Sequence, residues 1–350
     1  MSAGLSVIIC THNGETRLPA TLAHLKAQPP SLAPWEVVLI DNASTDDTAK
    51  VGLSCWSKEL APLRIVHEPR LGLQIARERG LREAKYDVLG FIDDDNWVSP
   101  DWVHVANEVF TEDHSLGAVG SISEPVFEGT EPDWFSASHS IYAILTDSDY
   151  DHSHEMPGFL PGAGLCIRKE AWLQLIRGGF CSRISDRVGS RLSGGGDTEL
   201  TMAIRLAGWK IRVEPRLRLK HFMPASRLRW EYLRRLERGY AASNVLLDAY
   251  SIHNLCMRSG LRFCIGQQWW CQIGRLLVGM LLLRKAVFAA ITSKGESRQD
   301  VLEVERLYGR ILGMLRVRNG YRASRHAVRY AAWRLRRPEE YLKRLRRVHQ

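Results

Sequence analysis

The first hundred residues alternate short apolar runs with stretches whose apolar positions recur at helical spacing. Residues 5–10, 35–41, 63–67 and 88–93 are rich in Val, Ile and Leu and predict strands, while 15–28, 46–60 and 72–84 predict amphipathic helices. Strands and helices in that order predict right-handed crossovers and a parallel sheet. Ligands of such sheets settle beyond the carboxyl ends of the strands. Three of those ends are polar: Thr11-His12-Asn13-Gly14, Asp41-Asn42-Ala43-Ser44 and Asp93-Asp94-Asp95-Asn96.

Further along, Ser99-Pro100-Asp101 supplies an N-cap, a proline for the first helical position and an acid for the first turn, so a helix is expected to begin there. Residues 121–164, with Pro125, Pro132, Pro157 and Pro161, are expected to be loop-rich, as binding segments of compact domains often are. Helical spacing returns over 197–207, after Gly194-Gly195-Gly196. Beyond Arg227 the chain turns helical and Arg-rich. Residues 263–283 are largely apolar but include Gln267, Gln268, Gln272 and Arg275, and Arg284-Lys285 follows. A spanning helix needs about 20 mostly apolar residues. The polar insertions favour a buried or interfacial amphipathic helix instead.

Length and composition allow one large α/β domain with an appendage, or two ordinary domains: 350 residues, 45% hydrophobic and 25% charged, is the profile of a folded globular chain. The net charge of +9 sits in one place, because 316–350 holds twelve basic residues against Glu339 and Glu340, leaving the remainder near −1. Such a tail suits anionic lipid or nucleic acid, and the ordinary alternative is a solvated helix surface. Its Tyr321, Tyr330, Trp333 and Tyr341 suit a headgroup boundary. Seven scattered cysteines without a Cys-x-x-Cys pair point to a reducing compartment and away from a thiolate metal site. The apolar run at 5–10 is too short for a signal-peptide core, so the start of the chain is expected in the cytosol.

The chemistry concentrates at the strand ends. Asp93, Asp94 and Asp95 repel one another unless a cation or hydrogen-bond donors compensate. In extended chain Asp93 and Asp95 face one side and can share a ligand, and Mg²⁺ or Mn²⁺ held by carboxylates and substrate phosphates fits an oxygen-only set. The plainer alternative is an acidic turn capping the helix at Ser99. Asp41 can accept hydrogen bonds from a nucleobase or ribose, while Ser44 or Thr45 is placed to cap the helix that follows. The turn from Thr11 to Glu15 offers backbone N–H groups and polar side chains. Arg77 can meet a diphosphate, or can pair on the surface with Glu78 or Glu83.

Taken in order, Val7-Ile8-Ile9-Cys10-Thr11-His12-Asn13, Leu39-Ile40-Asp41-Asn42-Ala43-Ser44-Thr45-Asp46, Gly72 with Ala76-Arg77, and Phe91-Ile92-Asp93-Asp94-Asp95 resemble the nucleotide-binding half of family 2 glycosyltransferases. Pro161-Gly162-Ala163-Gly164-Leu165-Cys166-Ile167-Arg168 resembles the family's acceptor-side glycine segment, and Gly195-Gly196-Asp197-Thr198-Glu199-Leu200 its catalytic-base segment. The resemblance covers about residues 5–234. It implies an α/β fold of GT-A type, a Rossmann-like mostly parallel sheet flanked by helices, over 1–226. Within this, 1–98 would be the nucleotide-binding half and 99–226 the acceptor and catalytic half, with a helical, Arg-rich C-terminal extension over 227–350. It further implies that Thr11, Asn13, Glu15, Asp41, Ser44, Arg77, Asp93 and Asp94 serve the nucleotide sugar and that Asp95 and His221 hold Mn²⁺ or Mg²⁺. Asp197 becomes the general base of an inverting displacement, with Glu199 as the alternative base. The family often has Glu-Asp where this chain has Gly196-Asp197.

The function expected from the resemblance is metal-dependent inverting transfer of a single sugar from a nucleoside-diphosphate sugar to a hydroxyl of a glycan or lipid-linked acceptor. Polysaccharide or glycolipid synthesis would be its setting, at the cytoplasmic face of an anionic membrane, with nucleic acid not expected as a partner. Gln267-Gln268-Trp269-Trp270 does not match the Gln-x-x-Arg-Trp element of processive synthases. A sugar-nucleotide nucleotidyltransferase competes but wants a Gly-rich basic phosphate loop that residues 11–15 do not supply. A glycosidase would leave the strand-end elements without a purpose. A non-catalytic scaffold binding membrane or nucleic acid through the tail is the alternative from another class.

Overall fold

A computed structural model describes residues 2–31, 33–57, 60–149, 158–187, 189, 192–251, 268–292 and 295–334. The predicted alternation is present: β1 (Ser2–Thr11), α1 (Leu18–Lys26), β2 (Trp35–Asn42), α2 (Thr48–Ser54), β3 (Leu63–Glu68), α3 (Leu73–Glu83) and β4 (Tyr86–Asp93). There follow β5 (Asn96–Val98), α4 (Trp102–Glu112), β6 (Leu116–Phe127), β7 (Cys166–Arg168), α5 (Lys169–Arg177), α6 (Gly196–Leu206) and β8 (Lys210–Met223). The strands form one sheet in the order β3-β2-β1-β4-β7-β6-β8-β5. β3, β2, β1 and β4 run parallel, β6 runs parallel to β8, and β7 and β5 are the antiparallel members.

Period-two alternation splits the strand residues between two cores. Val7, Ile9, Val37 and Leu39 meet α1 and α4 on one face, and Ile8, Val38, Ile40 and Phe91 meet α3, α5 and α6 on the other. With both faces covered, the strands read as continuous apolar runs.

Two local expectations differ from the structure. The helix after the acidic cluster starts at Trp102, because residues 96–98 first form β5 against β8. Ser99 then accepts the Trp102 N–H through its carbonyl (3.2 Å), and Gln28 Oε1 accepts the Val103 N–H (3.0 Å). The acidic turn therefore does not cap that helix. The stretch 121–164 opens with strand, since β6 continues to Phe127. Residues 150–157, including Pro157, lie outside the described residues.

The C-terminal part adds α7 (Trp230–Leu247), α8 (Trp269–Leu282), α9 (Arg284–Ile291), α10 (Gln299–Val317) and α11 (Tyr321–Arg329). α10 lies close along α7, because Gly309 and Gly313 bring it against the α7 carbonyls of Arg238 and Ala242, where a Cβ would collide. Ion pairs cross the same contact, from Arg234 and Arg238 to Glu305 and from Arg306 to Glu237. Residues 263–267 and 335–350, with Tyr341, lie outside the described residues. Within the described tail, Tyr321 packs on Val245 and Met314, and Trp333 stacks on Tyr250 (15° between planes) and meets Phe180 edge-on. Those two aromatic residues are buried core, which corrects their expected place at a headgroup boundary. Among the described residues no helix is long and apolar enough to cross a membrane.

Candidate active site

The carboxyl ends of β1, β2 and β4 lie side by side, with Cys10 in register with Asp93 and Thr11 with Asp41. A cleft of about 260 Å³ opens over them. Of the residues expected to serve it, Thr11, Arg77, Asp93, Asp94, Asp95, Asp197 and His221 line it.

Asn13, Glu15, Asp41 and Ser44 form a second layer beside the cleft. The Asn13 N–H donates to Ser44 Oγ (3.0 Å), Asn13 Oδ1 accepts the Thr45 N–H (2.8 Å), and Glu15 accepts the Asp47 N–H (3.3 Å). Asp41 accepts the Ser44 N–H (3.2 Å) and faces His67 Nδ1 (3.4 Å). Asn13 (φ 51°) and Ala43 (φ 54°) adopt left-handed conformations that fold the two turns onto each other. Ser44 and Thr45 are thus occupied with Asn13, and Asp47 takes the N-cap position of α2.

The acidic triplet is divided among three roles. Asp93 has the only partly exposed side chain of the three. Asp94 is buried under Arg17, which donates Nε (3.0 Å) and Nη2 (2.9 Å) to its two oxygens, and Thr11 Oγ1 adds a 2.5 Å bond. Burial raises the Asp94 carboxyl above the usual range, and Asp95 adds to the rise against the pull of Arg17. With both oxygens engaged, Asp94 ties the β1 turn to the β4 turn at the floor of the cleft. Asp95 lies between His221 Nε2 (3.3 Å) and Arg227 Nη1 (2.9 Å). Burial alone would raise it, but His221 and Arg227 outweigh burial and hold it well below the ordinary carboxylate range. The β5–β8 pairing brings His221 there by setting it opposite Asn96.

Across the cleft, Arg77 does not pair with Glu78 or Glu83. Glu83 is taken by Arg79 and Glu78 by Arg82, whereas Arg77 Nη1 donates to Asp186 (2.9 Å). Burial disfavours the Arg77 charge, yet Asp186, Asp197 and Asp93 together push its pKa above the ordinary value. A Cβ at Gly162 would lie 2.8 Å from both Arg77 Nη2 and Asp197 Oδ2, so the glycine lets both reach the cleft. Burial and the neighbouring Asp197 push the Asp186 carboxyl up to about 6, although Arg77 opposes them. Asp186 also accepts the Gly196 N–H at 2.8 Å. A Cβ at Gly196 would collide with the other Asp186 oxygen. A carboxylate from a different part of the chain therefore fills the space over Gly196.

Glu199 has no route to the cleft. It is fully buried and accepts from Ser182 Oγ (2.6 Å), Tyr250 OH (2.6 Å) and the N–H groups of Arg183 (3.0 Å) and Ile184 (3.3 Å). This removes it as an alternative base. A smaller apolar pocket of about 140 Å³, walled by Phe91, Leu165, Trp172 and Leu200, adjoins the cleft and shares Arg77, Gly162 and Asp197 with it.

The donor set accommodates a hard divalent cation in part. Asp93 and Asp95 offer oxygen, and His221 Nδ1 is buried with no hydrogen-bond partner. Among the described residues no three His, Cys, Asp or Glu side chains gather around one point, so diphosphate and water oxygens would complete the shell. Cleft residues not foreseen in the sequence are Arg17, Asp186, Arg187, Arg227 and Tyr240. Each is a lone polar residue whose neighbours follow no pattern, so only folding shows its place.

A mostly parallel sheet flanked by helices, with an acidic cleft at its strand ends, defines a GT-A type protein. Residues 6–162 match the family described as Glycosyl transferase family 2. That stretch of the chain is thus similar to glycosyltransferases of this family. A hyaluronan synthase of Pasteurella multocida is 36% identical over 119 residues, which are 33% of this chain and 12% of that protein. A glucosyl-dolichyl phosphate glucuronosyltransferase of Haloferax volcanii is 21% identical over 178 residues, 50% of this chain and 55% of that one. The matches thus span less than two thirds of these relatives' own lengths. The mannosyltransferase PcManGT from Pyrobaculum calidifontis, solved with GDP-Man and Mn²⁺, shares the fold with a TM-score of 0.55 at 17% identity, over 91% of this chain and 88% of that one.

Proposed function

We propose that the chain transfers one sugar at a time from a nucleoside-diphosphate sugar to an acceptor hydroxyl, with inversion at the anomeric carbon. The observation that carries this reading is the facing of Asp93, Asp95 and His221 by Arg77 and Asp197 within one cleft. Thr11, Asn42 and Asp93 receive the nucleoside, and the layer of Asn13, Glu15, Asp41 and Ser44 holds the turns that shape its seat. Arg77 meets the diphosphate. Asp95 and His221 are the residues for Mn²⁺ or Mg²⁺, which when bound supplies positive charge toward the diphosphate.

Asp197 takes the proton of the acceptor hydroxyl. As the hydroxyl oxygen bonds to the anomeric carbon, the bond from that carbon to the diphosphate oxygen breaks, and its electron pair leaves with the nucleoside diphosphate. Asp186 is a positioning residue: through Arg77 and the Gly196 N–H it fixes the start of α6 and hence Asp197. In this reading residues 1–226 carry the chemistry. Residues 227–350 complete the fold around it, and the acceptor is a glycan or lipid-linked hydroxyl presented in the cytoplasm.

A panel of sugar nucleotides assayed for Mn²⁺-dependent hydrolysis tests the proposal. Release of nucleoside diphosphate from one or a few donors is the expected result. No hydrolysis and no metal-dependent heat of nucleoside-diphosphate binding would leave a scaffold. Polymeric product from a single priming acceptor would replace single transfer with processive synthesis.

A further inference from the structure

The helix α8 contradicts the usual economy of a water-exposed helix. One side carries Trp269 and Ile273, which pack on Val245, Met314 and Tyr321. The adjoining face carries Trp270, Leu277 and Leu281, aligned by their spacing of seven and four, with Val278 farther round the helix. None of the helix's residues is buried, and those four are each more than half exposed, Leu281 by 67%. α9 continues the surface: Ala286 and Ala289 point inward, while Phe288 and Ile291 stand out at 66% and 77% exposure. A helix apolar on adjoining faces is ordinarily covered on both. Contiguous exposed apolar residues on this scale mark an interaction surface.

We infer that the outer faces of α8 and α9 dock on the surface of an anionic lipid bilayer. Residues 268–292 contain no acid, and exposed Arg284 and Lys285 stand at the junction of the two helices, within the apolar surface. A symmetric contact between two copies would bring those like charges together, whereas anionic headgroups pair with them. At about 1.5 Å per residue, the fourteen residues of α8 reach about 21 Å, short of the roughly 30 Å hydrocarbon core. The helix therefore lies in the plane of the interface, with Trp270 at the depth tryptophan favours. The inner face of α9 shares a core cluster with Tyr142 through Ala289, and Tyr142 lines the cleft. Docking thus holds the cleft beside the lipid surface.

Sedimentation of the full chain with vesicles of phosphatidylcholine, with and without phosphatidylglycerol, tests the inference. Binding is expected to be stronger with phosphatidylglycerol. Leu277→Glu with Leu281→Glu should lower the partition coefficient by about tenfold or more, with little change in melting temperature, because both side chains are more than half exposed. Phe288→Ser with Ile291→Ser repeats the test on the second helix should the first variant fold poorly. Arg284→Gln with Lys285→Gln should abolish the preference for phosphatidylglycerol. Three results overturn the inference: no sedimentation of the wild-type chain, undiminished binding by both apolar variants, or a vesicle-free dimer that the same substitutions dissociate. None of the variants touches donor hydrolysis, so a membrane failure and a failure of the enzymatic reading are told apart.

Discussion

The two banks of the cleft are built by opposite means. On the donor bank, the functional groups stand on adjacent strand ends, and the turns that bear them hold one another through hydrogen bonds such as Thr45 N–H to Asn13 and Ser44 N–H to Asp41. On the catalytic bank, Asp197 opens a helix whose approach, 182–195, has no regular structure among the described residues. That approach hangs on buried carboxylates: Glu199 gathers Ser182, Arg183, Ile184 and Tyr250, and Asp186 joins Arg77 to Gly196. A bank made of strand ends inherits its rigidity from the sheet. A bank made of loop must be anchored by particular side chains, so single substitutions should damage it more and in more distinct ways.

The largest expected effect is on the catalytic bank itself. Asp197→Asn keeps the shape of the carboxylate but not its basicity, so transfer should fall by about 10² to 10⁴ while calorimetry still shows donor binding. A rate within threefold of wild type would remove Asp197 as the base.

Next, Glu199→Ala takes the shared acceptor from the buried Tyr250 hydroxyl and Ile184 N–H and from the less buried Ser182 hydroxyl and Arg183 N–H, and should lower stability in urea by about 3 kcal/mol. Asn13→Ala on the donor bank breaks exposed bonds and should cost about 1 kcal/mol. Equal losses at the two positions would erase the contrast between the banks.

A reciprocal exchange sharpens it further. Asp186→Ala should reduce kcat by about 10²-fold with little change in donor KM, and Gly196→Glu alone should also be impaired, because Asp186 occupies the space it needs. Combined in one chain, the two changes restore a carboxylate beside Arg77, and kcat should recover toward wild type. A double variant no better than the singles would show that Asp186 matters only for folding.

The smallest effect is on pH dependence. Burial and Asp197 push the Asp186 carboxyl up to about 6, so between the ordinary carboxylate range and that pH the folded chain binds a proton that the unfolded chain has released. Its contribution to stability therefore declines as pH rises through this window and is flat above it. Asp186→Asn should remove about 1 to 2 kcal/mol of that decline, measured as the difference between urea unfolding at the two ends of the window. An unchanged slope would mean that Arg77 keeps Asp186 ionised throughout.

The α/β order, the parallel strands and the three polar strand ends were legible along the chain, because period-two apolar runs and their terminal residues are local properties of sequence. So were Asp93, Asp95, Arg77, Asp197 and His221 as a set, through motifs that follow one another in order. Tertiary structure alone decided how those residues divide their work. Asp94 is held by Arg17, 77 positions away, and Asp95 by Arg227, 132 positions away. Asp186 entered the site because a glycine ten residues later left space for its carboxylate. Trp333 became core while Leu281 stayed exposed, although hydrophobicity alone would bury both. Spacing along a chain specifies which face a side chain shares with its neighbours. Which charge meets which, and which apolar face remains uncovered, depends on contacts between distant segments that exist only once the sheet and helices have packed.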